Sequence, residues 1–317
     1  MDKIFIDGQA GTTGLQIHQK LQDRADLDLL CIGDADRKNN DAKRQIIEEA
    51  DVVILCLPDK AAIETVQLAP EGKTRFIDAS TAHRTNEAWV YGLPEMNETQ
   101  RALIQSAHLV SNPGCYPTGF LLPILPLIAQ GWLKPSSKIS CSAITGYSGG
   151  GRKMIEAFEL QARKRPDELW HSRPYSLHLR HKHLDEMKHF SGLDTEPIFL
   201  PVVGHFEQGM LVSIGLFSEF FFSEVSPDRV YELLASTYRD EPCINVFGPK
   251  DESQLLDGFL DPQANNGTNS LDIFVFGHEE QILLVCRLDN LGKGACGAAI
   301  QNLNLMLGKA ELEGLSL

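Results

Sequence analysis

The chain has 317 residues, 43% hydrophobic and 23% charged, which is ordinary globular material for one large or two smaller domains and excludes disordered, collagen-like and coiled-coil classes. Its formal net charge of −14 argues against a nucleic-acid partner, because phosphate backbones reward Lys and Arg, yet a single local cation or helix N-terminus could still hold a small anion. The seven cysteines are odd in number and form no CxxC pair, a reduced, cytoplasmic pattern in which Cys31, Cys56 and Cys286 lie in apolar runs as small hydrophobes.

The opening MDKIFIDGQAG goes straight into a strand pattern, so no signal peptide is expected. No apolar run reaches the roughly 18 residues of a membrane span, so no membrane partner is expected either. Ile4 to Ile6 reads as a short buried strand, followed by Gly8, Gly11 and Gly14 and a helical pattern from Leu15 to Leu21. Leu29 to Ile32, Asp51 to Leu57, Phe76 to Asp78 and Leu109 to Ser111 read as further strands, each ended by turn-forming residues. Strands alternating with helical segments over this stretch predict an α/β fold, a doubly wound parallel sheet. Phe120 to Ile128 predicts a buried helix kinked at Pro123 and Pro126. Longer runs follow at Lys138–Ile144, Ile198–Val203, Met210–Phe222, Leu271–Phe276 and Gln281–Leu288, as expected of a mixed or antiparallel sheet in an α+β domain. Gly297 to Leu307 is again helical, with Ala299, Ile300, Leu303 and Leu307 on one face.

Gly8, Gly11 and Gly14 enclose Thr12 and Thr13 between a strand and a helix, the arrangement that lets backbone amides approach a dinucleotide pyrophosphate. The second strand leads into Gly33-Asp34-Ala35-Asp36-Arg37-Lys38, where an acidic residue favours NAD and a basic one the 2′-phosphate of NADP. Arg37 and Lys38 favour NADP(H). Gly292 and Lys293, in the glycine-rich loop before the last helix, are candidates to approach the same cofactor through backbone amides.

Ser111-Asn112-Pro113-Gly114-Cys115 runs from a strand through a Pro-Gly turn to the start of the apolar helix. A helix N-terminus stabilises a thiolate, and the turn amides could form an oxyanion hole, so Cys115 is the candidate nucleophile. In an extended segment His181 and His183 would point to one side, with Glu186 able to orient one of them, as a proton-handling group. HxH could also chelate zinc, but the spacing fits no standard motif and no metal is expected. Ser148 and Gly149 lie in a polar glycine loop suited to an anion, and with Asn112 and Glu186 they are the candidate substrate-binding residues. Ser80 to Arg84 follows a strand end, on the sheet edge where ligands bind in such folds.

GQAGTTG at 8–14, LPD at 57–59, DASTAHR at 78–84, SNPGCYPTG at 111–119, TGYSGGGRK at 145–153, HKHLDEM at 181–187 and DNLGKGACGAAIQNLN at 289–304 together resemble the short type of N-acetyl-γ-glutamyl-phosphate reductase. The resemblance implies a semialdehyde dehydrogenase-like fold: a Rossmann domain of residues 1–117 plus 290–317, and an inserted α+β catalytic domain at 118–289. It implies NADPH, an acyl-phosphate substrate, Cys115 as nucleophile, His183 or His181 as acid/base, and a homo-oligomer, dimer or tetramer. Gln208 stands where the long type has Arg, so no substrate role is assigned there. An aspartate-semialdehyde dehydrogenase and a non-catalytic NADP-binding sensor are the other readings; a cysteine hydrolase would have no use for the glycine turn.

Overall fold

The computed structural model describes residues 1–33, 35–37, 39–69, 73–168 and 170–317. They divide into two compact units, Met1–Gly114 with Ala295–Leu315 and Cys115–Gly294 with Ser316–Leu317. In the first, the described residues form a parallel sheet of β1 (Asp2–Asp7), β2 (Leu27–Leu30), β3 (Val52–Leu55), β4 (Arg75–Asp78), β5 (Val90–Tyr91) and β6 (Leu109–Ser111). The strand order is β2-β1-β3-β4-β6-β5, so the winding reverses between β1 and β3 and opens a crevice at their carboxyl ends. Helices α1 (Thr12–Leu21), α2 (Asn40–Glu49), α3 (Asp59–Leu68) and α4 (Gln100–Ser106) cover the sheet.

Successive strand residues point to opposite faces, and both faces are covered. Ile4, Ile6, Val52 and Ile54 pack with Ile17 and Leu21 of α1 on one side. Phe5, Val53 and Leu55 pack with Ile47 of α2 and Ala62 of α3 on the other. This double burial is why the strands read as unbroken apolar runs. The second strand is displaced from its expected span: pairing with β1 ends at Phe5 opposite Leu30, so Cys31 lies past the strand and is exposed rather than acting as a core hydrophobe.

The second unit contains α5 (Cys115–Ala129), β7 (Ser140–Thr145), α6 (Arg152–Lys164), β8 (Arg173–Pro174), α7 (Leu184–Ser191), β9 (Ile198–Val203) and β10 (Met210–Phe217). Then follow α8 (Pro227–Thr237), β11 (Ile244–Phe247), a hairpin of β12 (Leu255–Leu256) with β13 (Phe259–Leu260), β14 (Leu271–His278) and β15 (Gln281–Leu288). Seven of these strands form a mixed sheet in the order β11-β14-β15-β10-β7-β9-β8. β10 stops before Phe222 because a short 3₁₀ turn at Ser218–Phe220 carries the chain away, and Phe221 bridges Leu133 instead. The last helix, α9 (Gly297–Met306), belongs to the first unit, where Ala299, Ile300 and Leu303 complete the cluster around Ile4.

One face of the mixed sheet is buried under α5 and α8, through Val212, Ile214, Leu284 and Cys286 among others. The opposite face carries Ile198, Leu200, Phe217 and Leu283, all exposed, and cross-strand register puts them on one side. Helix α5 is apolar around its whole circumference because it is buried on every side, almost without break from Tyr116 to Leu127. Pro117 sits in the first turn, where no helical N–H is needed. Pro126 cannot donate to the Leu122 carbonyl one turn back, and the buried Tyr238 hydroxyl donates to that oxygen instead, at 2.6 Å.

Tyr238→Phe should therefore strand a buried carbonyl and lower the unfolding free energy by about 1–3 kcal/mol. Urea denaturation reads this as a lower midpoint at unchanged slope. An unchanged midpoint would mean that another donor reaches Leu122.

Candidate active site

The glycine turn sits at the winding reversal. Asp7 closes β1 and is held by Lys43 of α2 at 2.7 Å and Thr65 of α3 at 3.2 Å. Gly8 follows with φ +95°, and a Cβ there would collide with the Cys56 carbonyl just past β3. A Cβ on Gly14 would strike the Gly8 carbonyl, so these two positions tolerate glycine alone. Gly11 caps α1 without any side-chain hydrogen bond to the first-turn amides. By contrast, Asn39 caps α2 by accepting from Asp41 N and Ala42 N at 3.0 and 3.3 Å. A positive helix end whose cap adds no side chain, in a crevice that glycines keep free of Cβ atoms, suits a pyrophosphate. Thr12 and Thr13 form the first turn. Arg37 is exposed in the turn after β2, and Lys38 lies outside the described residues.

Cys115 is the first residue of α5 and is half-buried. Its back is formed by the π-helical turn Gly292–Cys296: a Cβ on Gly294 would lie 2.7 Å from Cys115 Cβ. That turn is anchored by Asp289 and Asn290, both buried directly after β15. Asp289 accepts from Leu291 N at 2.9 Å, Gly267 N at 2.8 Å and Gln208 Nε2 at 3.3 Å. Asn290 accepts from Gly209 N at 2.8 Å and donates to Ser148 Oγ at 3.0 Å. The sequence reading held this pair and Gly294 within its 289–304 stretch but assigned a role only to Gly292 and Lys293; the signal for the pair was two adjacent polar residues ending a long apolar strand.

His181 and His183 do not lie on an extended segment. His183 N–H donates back to His181 Nδ1 at 3.1 Å, folding the chain into a turn that leads into α7, with His183 at the cap position. The imidazoles still converge, their centroids 4.8 Å apart. Both rings meet the edge of Tyr116, next to Cys115, at 5.6 and 5.7 Å. Tyr175 Oη lies 3.4 Å from His181 Nε2 and 3.1 Å from Tyr116 Oη. Because Nδ1 of His181 accepts a backbone N–H, its neutral form carries the proton on Nε2. Burial, and then Lys182, pull the His181 pKa down to about 4. Burial pushes the Tyr175 phenol up to about 12, and it raises Tyr116 well above the ordinary range. Nearby Cys115 adds to both upward shifts, so the cysteine and the two phenols share one electrostatic neighbourhood.

The other candidates are placed as follows. Asn112 is buried and donates to the Ala295 carbonyl at 3.0 Å while accepting from Asn302 at 3.1 Å, tying the strand end to α9. Ser148 is buried between the Glu207 carbonyl and Asn290, whereas Gly149 is exposed. Glu186 is buried in the first turn of α7. Gly292 is buried, and Lys293 is fully so. After β4, buried Asp78 accepts from Ser80 N and Oγ, both at 2.8 Å, and meets His83 Nδ1 at 2.6 Å. The His83 ring stacks on Trp89 at 4.1 Å. Thr81 donates to Asp59 through its hydroxyl at 2.6 Å, joining the segments at 57–59 and 78–84.

Two family models match the chain: the semialdehyde dehydrogenase NAD-binding domain over residues 3–104 and the semialdehyde dehydrogenase dimerisation domain over residues 115–290. The chain is 49% identical over 318 residues, 99% of each sequence, to N-acetyl-gamma-glutamyl-phosphate reductase 2 of Nostoc sp.. It is 44% identical over 311 residues to N-acetyl-gamma-glutamyl-phosphate reductase of Brucella suis, covering 97% of this chain and 99% of the relative. Among solved structures, aspartate semialdehyde dehydrogenase II of Vibrio cholerae shares the fold with a TM-score of 0.73 at 16% identity, covering 97% of this chain and 98% of that one. The aspartate semialdehyde dehydrogenase of Francisella tularensis does so at a TM-score of 0.70 and 13% identity, covering 97% and 100%.

The burial of His181 gives it a measurable titration. Its folded pKa, about 4, lies below the ordinary 6.5, so between those values the unfolded chain binds a proton here that the folded one refuses. Stability at this group is intact above pH 6.5 and declines as pH falls toward 4. Imidazole NMR should show His181 neutral and protonated on Nε2 at pH 6, and a midpoint near 6.5 would refute the assignment.

Proposed function

The chain belongs to the N-acetyl-γ-glutamyl-phosphate reductase family of semialdehyde dehydrogenase-type oxidoreductases, and from that membership we propose that it reduces N-acetyl-γ-glutamyl phosphate to N-acetylglutamate semialdehyde, with NADPH, in cytoplasmic arginine biosynthesis. The observation that supports this most is Cys115 at the N-terminus of a buried helix, beside a tyrosine that contacts both His181 and His183. Residues 1–117 with 290–317 would bind the dinucleotide, and 118–289, together with Cys115 just before it at the start of α5, would carry the chemistry. Gly8, Gly11, Thr12, Thr13 and Gly14 would cradle the pyrophosphate, with Arg37 and Lys38 at the 2′-phosphate. Gly292 and Lys293 would contribute backbone, since the Lys293 side chain is buried.

The Cys115 thiolate attacks the acyl carbon. The carbon–sulfur bond forms, the bond to the phosphate oxygen breaks, and inorganic phosphate leaves. A reduced nicotinamide, when bound, supplies the hydride that takes the thioester to the aldehyde level. His183 gives a proton to the resulting oxygen and takes it back as the carbon–sulfur bond breaks, releasing aldehyde and restoring the thiolate. His181 suits this proton transfer less, because one ring nitrogen is occupied by His183 N–H, the other faces Tyr175, and burial keeps the ring neutral. It holds the turn that presents His183. Asn112 and Ser148, with their polar atoms engaged, shape the substrate loops, while the exposed Gly149 and buried Glu186 border the substrate.

Run in reverse, N-acetylglutamate semialdehyde, phosphate and NADP should give phosphate-dependent absorbance of reduced nicotinamide, abolished by Cys115→Ala. Turnover of aspartate semialdehyde alone would keep the mechanism and reject the substrate. Failure with both aldehydes, in folded protein that still binds NADP, would reject the enzyme reading and leave a sensor.

We also propose that the chain self-associates through the open face of the mixed sheet. Ile198, Leu200, Phe217 and Leu283 form an apolar surface there, and the family model over this unit is that of a dimerisation domain. Leu200→Asp with Leu283→Asp should reduce the mass measured by light scattering to that of one chain. An unaltered oligomer would put the interface elsewhere.

A further inference from the structure

We propose that a cavity of about 670 Å³ in the second unit receives the acylamino-carboxylate end of the substrate, with Lys153 and Arg173 pairing its α-carboxylate and Phe158, Trp170 and Tyr175 covering its N-acyl amide. This rests on the reaction proposed above and adds what that reaction's nucleophile and histidines leave open: how the end of the substrate remote from the reacting carbon is recognised.

The cavity lies between the start of α6, the segment through β8, and Val203 of β9. Its apolar wall is ordered by ring contacts: Phe158 is stacked on Tyr147 at 5.0 Å and meets Trp170 edge-on at 5.2 Å. Planar amides suit such a surface, and apolar walls with a few placed charges characterise small-molecule sites of roughly 300–1,000 Å³. Among the described residues, Lys153 and Arg173 line the cavity and no carboxylate does. Neither cation makes an ion pair with a described residue, although the chain has 43 Asp and Glu against 29 Lys and Arg and neighbouring cations are paired. Arg152 is paired with Glu156 at 2.8 Å and Arg163 with Glu159 at 3.3 Å, on the same helix. The Arg173 guanidinium is instead held 4.1 Å over the Trp170 ring, a stacking that positions the group and leaves its N–H edge for a carboxylate.

Tyr175 links this cavity to the chemistry. One side of it lines the cavity, and its hydroxyl is 3.4 Å from His181 Nε2. A substrate whose carboxylate is fixed at the mouth would therefore lie against the tyrosine that adjoins the histidine pair. The arrangement also gives a reason for N-acylation. A free α-ammonium would face Lys153 and Arg173 as a like charge, whereas an acylated nitrogen is neutral and stacks on the aromatic wall.

The test uses the reverse reaction with two aldehydes: N-acetylglutamate semialdehyde and 4-acetamidobutanal, which has the same acetamide and aldehyde without the carboxylate. The wild-type protein should favour the first in KM, and in Lys153→Gln with Arg173→Gln that preference should shrink about 10- to 100-fold, toward equal KM values. Both positions are exposed, so folding is not at stake. An unaltered preference would overturn the subsite while leaving the reaction standing. Should the wild type turn over neither aldehyde, the reaction itself falls, and calorimetric binding of N-acetylglutamate still reads the cavity. Binding that weakens by the same factor in the double variant upholds the carboxylate site, and binding that is absent or unaltered overturns it.

Discussion

Two buried polar side chains at the end of β15 organise the loops around the cysteine. A carboxylate taken out of water is tolerated only when donors replace its hydration. Asp289 obtains them from Leu291, Gly267 and Gln208, three points on three stretches of chain without regular secondary structure. Asn290 adds Gly209 and Ser148. Once those bonds are made, the turn at 292–296 has one course, and it brings the Gly294 backbone against Cys115. Rigidity in the reacting group thus comes from a hydrogen-bonded hub that touches neither substrate nor cofactor in the proposed reaction. Gln208 takes part in the hub, which gives it a use unrelated to substrate.

Much of the fold was legible because its signals are local. A strand buried on both faces must be apolar throughout, and Val52 to Leu55 is; a helix entered by a tight turn must place glycine where φ is positive, and Gly8 does. The helix after Cys115 was visible as an apolar run, but its means of carrying Pro126 was not, since the compensating hydroxyl comes from Tyr238, 116 residues beyond the carbonyl that it serves. The same limit hid the tyrosine contacts of the histidines: Tyr116 and Tyr175 stand 59 residues apart. Where periodicity misled, a competing hydrogen bond decided. The segment at 181–183 folds because a histidine ring accepts a backbone N–H, which no alternation of residue types reveals. Cys31 looked like a strand thiol because its neighbours are apolar, yet the β1 partner runs out one residue earlier.

The aromatic cluster around the histidines lowers charge rather than gathering it. Tyr116, Tyr175 and Phe199 enclose His181, and burial holds the imidazole and both phenols in their neutral forms at ordinary pH. Such surroundings suit a group whose task is orientation. A neutral His181 can accept from His183 N–H continuously, so the turn carrying His183 does not loosen as pH changes above about 4. In the proposed reaction, a fixed His181 beside a proton-transferring His183 would resolve the apparent redundancy of the two histidines, since adjacent rings of equal basicity would repel each other once one was charged.

A chain with a net charge of −14 that handles an anionic substrate poses a question of range. Screening at physiological ionic strength confines exposed charges to about 8 Å, so carboxylates distributed over the surface act weakly on any one site. A cation about 4 Å from the substrate's carboxylate, at the intermediate dielectric of a protein surface, contributes an attraction on the order of 4 kcal/mol before desolvation is counted. Local placement therefore outweighs the global balance. Lys153 and Arg173 at the aromatic cavity, and the uncapped start of α1 at the glycine crevice, are positive places of this kind in an acidic protein. The acidic remainder then opposes nonspecific polyanions, which make many distant contacts, far more than a small anion that makes one or two close ones.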